Sequence, residues 1–520
     1  MTGVQKRGSG RPWLAISLLG IIDLLILYGV TLMYAQGEIA FALIMLILAV
    51  SASWVFISHK AYCYRYVFPG LLGVAVFIVF PLLYTVNIAF TNFSSTNLLS
   101  QGRVKNILLA QRHTTGDSIY KFQMFEAIDK GGKTDKKYYL QLTAPDDQVY
   151  KTASFRQPTA PKVVKARLAS ADISTETGVS PLPLRDVIKN RDHLYNLTVK
   201  IPDGSQLVMT GIRRFEASSP LYVASDKDDT LVNTLTGETI YPDWETGRYT
   251  HDGSDQIGPG FVTYTGWQNF DDILNNPGIK GPFLKIFLWT VIFAGLSVLF
   301  TLIVGLLMAC LIQWEPLKGN GIYRILLILP YAVPAFISIL IFRGLFNQNF
   351  GEINVFLDIL FGIKPEWFSN ATLAKTMVLM VNTWLGYPYI MILSIGLLKA
   401  IPDTLYEASA IDGAGPWQNL TQITIPLILK PLMPLLIASF AFNFNNLVLI
   451  ALLTDGGPDL LGATTPAGAT DILVSYTFRL AFGSYGQDYG LASAIATIIF
   501  LIVGVIAWLN LQATKKYQSV

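Results

Sequence analysis

In the apolar stretch LIASFAFNFNNLVLI (436–450), Ser439, Phe442, Asn443 and Asn446 stand three, one and three residues apart, which gathers all four on one helical face. A hydroxyl, two amides and an aromatic ring break no bonds, but together they suit a neutral polyhydroxyl solute. Amides hydrogen-bond hydroxyls while the ring stacks on a sugar face. The competing role is structural: amides in a bilayer need partners, and Ser and Asn often hold one helix to another. A second polar interruption, Asn382-Thr383-Trp384-Leu385-Gly386-Tyr387-Pro388-Tyr389, favours the binding role. Gly386 and Pro388 are expected to weaken that helix, which is tolerated where backbone lines a cavity.

Other chemistry is poorly supplied. The two cysteines, Cys63 and Cys310, lie beside or within apolar stretches, so they suggest neither a disulfide framework nor a metal cluster. The four histidines are far apart in sequence. Ala127-Ile128-Asp129-Lys130-Gly131-Gly132-Lys133-Thr134 resembles a relaxed phosphate loop, but that loop needs a helix behind it to meet the phosphates. Here an alternating, strand-like run follows, so the segment reads as a charged turn and the chain as no ATPase. Asp23 is the one clear acid inside an apolar span, without a basic partner in the others. Ion-coupled carriers usually keep paired ionisable groups at that depth. If a solute moves uphill, its energy is expected to come from a partner.

Residues that bind within apolar stretches must be positioned by membrane spans. Hydrophobic residues make up 52% of the 520, and 14% are charged, where soluble domains carry about a quarter. A net charge of +3 gives no reason to expect nucleic acid. Spans of about 20 apolar residues are expected at roughly 13–35, 38–58, 67–91, 283–313, 323–346, 376–398, 426–453 and 488–511. The first is too long for a signal-peptide core and no cleavage pattern follows it. Lys6, Arg7 and Arg11, then Lys60 and Arg65, Lys318 and Arg324, and Lys515 and Lys516 all fall on one side if the spans alternate. Both termini are therefore expected to be cytoplasmic; Arg343, Lys364 and Lys375 run against that count without overturning it.

Residues 92–282 form a polar, domain-sized insertion between the third and fourth spans, on the opposite side. KKYYLQLTA (136–144), PKVVKARLA (161–169) and HLYNLTVKIPDGSQLVMTGI (193–212) alternate like strands. Pro202-Asp203-Gly204 supplies a hairpin turn in the last. The expected fold is thus a polytopic α-helical membrane protein of eight transmembrane helices with a large exported β-rich domain, a small sandwich or barrel. The expected divisions are 1–66 (tail and helices 1–2), 67–91 (helix 3), 92–282 (exported domain) and 283–520 (helices 4–8, with a connecting loop at 399–426).

That loop is more patterned than a slack connection. Pro402 can open a helix, and Thr404 with Glu407 has capping-box spacing. Gly413 and Gly415 end that helix. Pro416 can open a second, striped by Trp417, Leu420, Ile423 and Ile425. The expectation is a stiff helical hairpin, able to transmit force or simply to rest on the membrane surface.

EASAIDGAGPWQNLTQITIP (407–426) resembles the EAA motif of permease subunits in bacterial ABC importers: Glu407, Ala408, Gly413, Ile423 and Pro426 match, while Ser409 and Ile425 depart mildly. LMYAQGE (32–38), AFTNFSSTN (89–97), LLILPYAVPAFISILIF (326–342), FNQNFGEIN (346–354), NTWLGYPY (382–389) and FAFNFNNLVLI (440–450) extend the resemblance, specifically to the large permease subunits of maltose/maltodextrin importers. It implies an inner-membrane, multi-pass transport subunit that is not an enzyme and binds no cofactor. ATP and Mg would be bound by a partner ATPase dimer, MalK-like. It further implies a second, MalG-like permease subunit and a periplasmic maltose-binding protein as partners, with lipid around the spans. By the same likeness, Glu407, Ala408, Ser409, Asp412, Gly413, Ala414 and Gly415 would dock on the ATPase, and Leu385, Gly386, Tyr389, Ser439, Phe442, Asn443 and Asn446 would bind the sugar. Another oligosaccharide on the same machine, an ion-coupled sugar permease and a non-transporting receptor remain as alternatives at this point.

Overall fold

The computed structural model describes residues 12–35, 39–58, 60–128, 134–156, 162–169, 179–225, 229–314, 316–484 and 487–518. They divide into two compact units, one helical (1–91 with 266–520) and one strand-rich (92–265). The helix Gln268–Asn275, placed by sequence in the exported segment, belongs to the helical unit.

Among the described residues, five helices are long and apolar enough to cross a membrane: Phe68–Ile88, Pro277–Ile312, Ala371–Leu398, Pro416–Phe444 and Tyr489–Gln512. Asn320–Ala332 and Ala335–Leu345 qualify only as a pair, bent by 91°. The sequence alone predicts that pair as one span, 323–346. Pro334 lacks an N–H and holds Val333 extended (φ −98°, ψ 130°), so the helix stops and restarts there. The apolar helices Pro12–Ala35 and Ile39–Ile57 precede these. Between them Ser53 Oγ donates to Asp23 Oδ2 at 2.7 Å. Asp23 therefore finds a polar neighbour within the same helix pair.

The long helices Pro277–Ile312 and Ala371–Leu398 pack through small residues. A Cβ on Gly305 would lie 2.8 Å from Ile390 Cβ and 2.9 Å from the Tyr387 carbonyl oxygen. Gly305 thus lets Pro277–Ile312 close on Ala371–Leu398. Gly305→Ala is expected to destabilise this pair by about 1–3 kcal/mol, read as a lower denaturation temperature of the detergent-solubilised chain.

In the strand-rich unit, seven strands hydrogen-bond in a closed ring. From Arg112–Ile128 the ring passes through Thr134–Thr143, Val149–Thr152, Lys162–Leu168, Leu197–Lys200, Gln206–Gly211 and Arg214–Pro220 back to the first. Alternate residues fill it: Leu140 and Leu142, Leu197 and Val199, Leu207 and Met209 are all buried. The expected hairpin is present, with Gly204 at φ +96° and Asp203 Oδ1 accepting from the Ser205 N–H at 2.8 Å. His193 to Tyr195, read from sequence as the start of a strand, lie instead in the short helix Arg191–Tyr195. Four further strands, from Tyr222–Ala224 to Arg248–Thr250, form a separate antiparallel sheet. The glycine-rich turn at 127–134 falls partly outside the described residues, and the strand Thr134–Thr143, not a helix, follows it.

Candidate functional site

The polar residues of the sixth and seventh apolar segments meet. Asn382 Nδ2 donates to Asn443 Oδ1 at 2.8 Å, and Asn446 Nδ2 donates to Asn382 Oδ1 at 3.3 Å. Asn443 Nδ2 turns back along its own helix to the Ser439 carbonyl oxygen at 2.9 Å. Asn443 is 5% exposed, so its amide is held by this network. Phe442, its neighbour, is 69% exposed, and Tyr389 is 39% exposed. The cluster is therefore both helix–helix glue and an edge. Amides fix the backbone of two helices while aromatic rings on the same two helices remain open.

Two expectations about this region need correction. Ala371–Leu398 runs unbroken through Gly386 and Pro388, so the sixth span is not interrupted. One lost N–H is a small loss in a 28-residue helix packed on its neighbour. Gly386 has another use: a Cβ there would sit 2.7 Å from Thr301 Cγ2 on Pro277–Ile312. The seventh span, by contrast, is broken. Its helix ends at Phe444, and Asn446 lies beyond it, accepting from the Leu449 N–H at 3.3 Å to start the helix Leu447–Leu453. Continuous helical spacing does not hold as far as Asn446, yet its side chain still reaches Asn382.

Asn382 is the member that spacing on the seventh segment alone misses. It stands three, four and seven residues before Leu385, Gly386 and Tyr389, hence on their helical face, a signal present in the sequence. Leu385 packs at the edge of the neighbouring apolar core and forms no polar contact with the cluster.

The second candidate segment is a helix, Asp403–Ile411, then a tight turn and a second helical run from Pro416. The capping box expected from Thr404 and Glu407 is absent. The helix starts two residues earlier than a Thr404 cap would set it, at Asp403, behind an extended Pro402 that has no capping side chain, and Glu407 lies exposed in its middle. The turn is closed by Gly413 at φ +79°, whose N–H donates to the Ala410 carbonyl oxygen at 3.1 Å, and by the Ala414 N–H donating to Ser409 O at 2.9 Å. Ser409 Oγ donates to Tyr406 O at 2.8 Å, and Asp412, exposed like Ala408, ends the helix. Gly415 begins the next run, its N–H received by Gln418 Oε1 at 2.9 Å. Tyr406 Oη and Thr424 Oγ1, 2.9 Å apart, brace the two halves. Ile411 (87% exposed) and Trp417 (73%) stand out bare on this hairpin.

Three family descriptions match in succession. They are "MalF, N-terminal region, transmembrane helices" over residues 13–60, "Maltose transport system permease protein MalF P2 domain" over 99–266, and "Binding-protein-dependent transport system inner membrane component" over 301–513. Relatives extend over nearly the whole chain. The maltose/maltodextrin transport system permease protein MalF of Yersinia pestis is 51% identical, covering 97% of this chain and 94% of that protein. The chain belongs to the MalF family. The MalF proteins of Escherichia coli K12 (50% identical, covering 96% of each chain) and Vibrio cholerae (50%, covering 98% of this chain and 96% of that one) are similarly close. The match typical of MalF P2 domains coincides with the strand-rich unit. The permease match contains both the amide cluster and the glycine-turn hairpin.

Proposed function

We propose that this chain is the maltose/maltodextrin permease subunit of an ATP-driven importer, forming part of the sugar's path through the inner membrane. It is a transport subunit; hydrolysis belongs to a separate ATPase. The observation that carries the reading is the amide cluster. Asn382, Asn443 and Asn446 lock two helices together while Phe442 and Tyr389 on the same helices are exposed, an arrangement suited to a neutral, ring-shaped, hydroxyl-rich solute. Leu385, Gly386 and Ser439 complete the wall. Both termini are cytoplasmic in this reading, and the strand-rich unit is periplasmic, where it receives a maltose-binding protein. A MalG-like permease supplies the other half of the path. A MalK-like ATPase dimer, binding ATP and Mg, grips the hairpin from Glu407 to Gly415. ATP-driven closure then shifts the spans between inward- and outward-facing states.

Asn443→Ala tests the site. It removes the acceptor of the Asn382 amide, and a buried donor left unpaired costs about 1–3 kcal/mol. Uptake by the reconstituted complex is expected to fall about tenfold or more, with co-purification of the partner subunits unchanged. Wild-type uptake rates in that variant would remove the site. An equal loss for maltose accompanied by full uptake of another oligosaccharide would redirect the choice of substrate.

A further inference from the structure

The helix Leu447–Leu453 joins the amide cluster to a loop that composition alone leaves unremarkable, 454–472. At its start, Asn446 both caps the helix and bonds Asn382. Leu449, Ile450 and Leu453 are fully buried along its length. At its end, Thr454 Oγ1 lies 2.8 Å from Thr470 Oγ1. The Thr470 hydroxyl also reaches the Gly457 carbonyl oxygen at 2.7 Å and the Thr454 hydroxyl reaches Ile450 O at 3.3 Å, so either can be the donor between the two. Thr470 is itself fully buried. Its N–H donates to Gly456 O at 3.1 Å, and its carbonyl oxygen receives the Trp289 indole N–H at 3.3 Å. Leu473 N–H donates to Thr290 Oγ1 at 3.0 Å, a second tie to the same long helix.

We infer that Thr470 is a positioning residue for the solute site, setting the place of Asn446 through the two-turn rod Leu447–Leu453. The inference rests on the site reading above. The rod has no slack at either end: an amide of the site starts it, and a hydroxyl pair pinned to Pro277–Ile312 ends it. Seven helical residues span about 10 Å, a distance at which substitutions without shared partners ordinarily add. Coupling between Thr470 and Asn446 is therefore diagnostic of transmission along the rod.

The test is a double-mutant cycle on maltose uptake by the fully assembled complex in proteoliposomes, with ATPase and binding protein present. Asn446→Ala is expected to lower uptake about tenfold and Thr470→Val about fivefold. Thr470→Ser, which keeps the hydroxyl, is expected to restore most of the rate. In the Asn446→Ala background, Thr470→Val is expected to add less than about twofold. Independent, multiplying losses would overturn the inference, as would normal uptake by Thr470→Val. If instead Asn446→Ala itself transports normally, the site reading fails and the inference with it, a separate and recognisable result. Should Thr470→Val not assemble, Thr454→Val removes the helix side of the same bond and enters the cycle under the same criteria.

Discussion

Gly413→Pro is expected to reduce uptake to background while leaving the chain inserted and folded in its membrane spans. Gly413 holds φ +79°, a conformation closed to proline, whose ring fixes φ near −65°. Its N–H also donates to Ala410 O at 3.1 Å, a bond that proline cannot make. Both losses fall on the turn that sets the Asp403–Ile411 helix against the run from Pro416. Nothing lies within 4 Å of the Gly413 Cβ position, so the damage is conformational and stays in the hairpin. If the hairpin docks on the ATPase as proposed, mis-setting the helix displaces exposed Glu407 and Ile411 relative to exposed Trp417. The measurement is twofold: ATPase recovered on affinity purification of this chain, and its stimulation by sugar-loaded binding protein. Gly413→Ala, strained at the same φ but keeping the N–H, is expected to lose about 1–2 kcal/mol in the turn and to fall between proline and wild type. Glu407→Lys, on the exposed face, is expected to weaken recovery of the ATPase without disturbing the turn. An ATPase that co-purifies with Gly413→Pro and still responds to loaded binding protein would remove the coupling role.

What the sequence made legible depended on the range of the interaction. Alternation in YYLQLT and in the NLTVKIPDGSQLVM hairpin placed side chains that the ring of strands buries, because a period of two is local and each strand needs only one inner face. Hydropathy located the apolar segments but not their continuity. It averages over windows in which Pro330 and Pro334 count as two residues, although Pro334 turns the backbone by 91°. Pro388 looked more disruptive and is absorbed, because its helix packs closely on Pro277–Ile312 through Gly305 and Gly386. The capping box failed for a related reason. Spacing proposes a start, but the extended Pro402 dictates it two residues earlier. The amide cluster was half legible. Helical spacing found Ser439, Phe442, Asn443 and Asn446, while the bond from Asn446 to Asn382 crosses 64 residues, which no local period records. Asp471 was not legible at all. In TTPAGATDILVSYTFRL it is one acid in a polar loop, with its cation eight residues further on.

Asp471→Ala is accordingly expected to cost about 3–5 kcal/mol, the largest loss of stability from a single side chain in the helical unit. The carboxylate is fully buried and receives three donors: Gly468 N–H at 2.7 Å, Ser475 Oγ at 2.7 Å and Arg479 Nη1 at 2.8 Å. The space is so closely filled that a Cβ at Gly456 would overlap the carboxylate. Alanine strands a half-buried guanidinium, left with Asp459 at 2.7 Å, and orphans a buried N–H. Burial pushes the Asp471 carboxyl up from 3.8 to about 6, against the pull of Arg479, Ser475 and the Gly468 N–H. The sign of the pH dependence follows. A carboxyl raised in the folded chain favours folding while protonated, so its contribution is complete below the unfolded value of 3.8, falls as the pH climbs to about 6, and is level above. Asp471→Asn removes the charge that burial penalises and still offers Gly468 a carbonyl oxygen, so it is expected to lose less than alanine and to lack that slope. Denaturation temperatures of the solubilised complex between pH 4 and pH 8 separate these outcomes. Equal losses for asparagine and alanine would mean that the Arg479 charge pair, rather than the closed set of hydrogen bonds, holds the loop together.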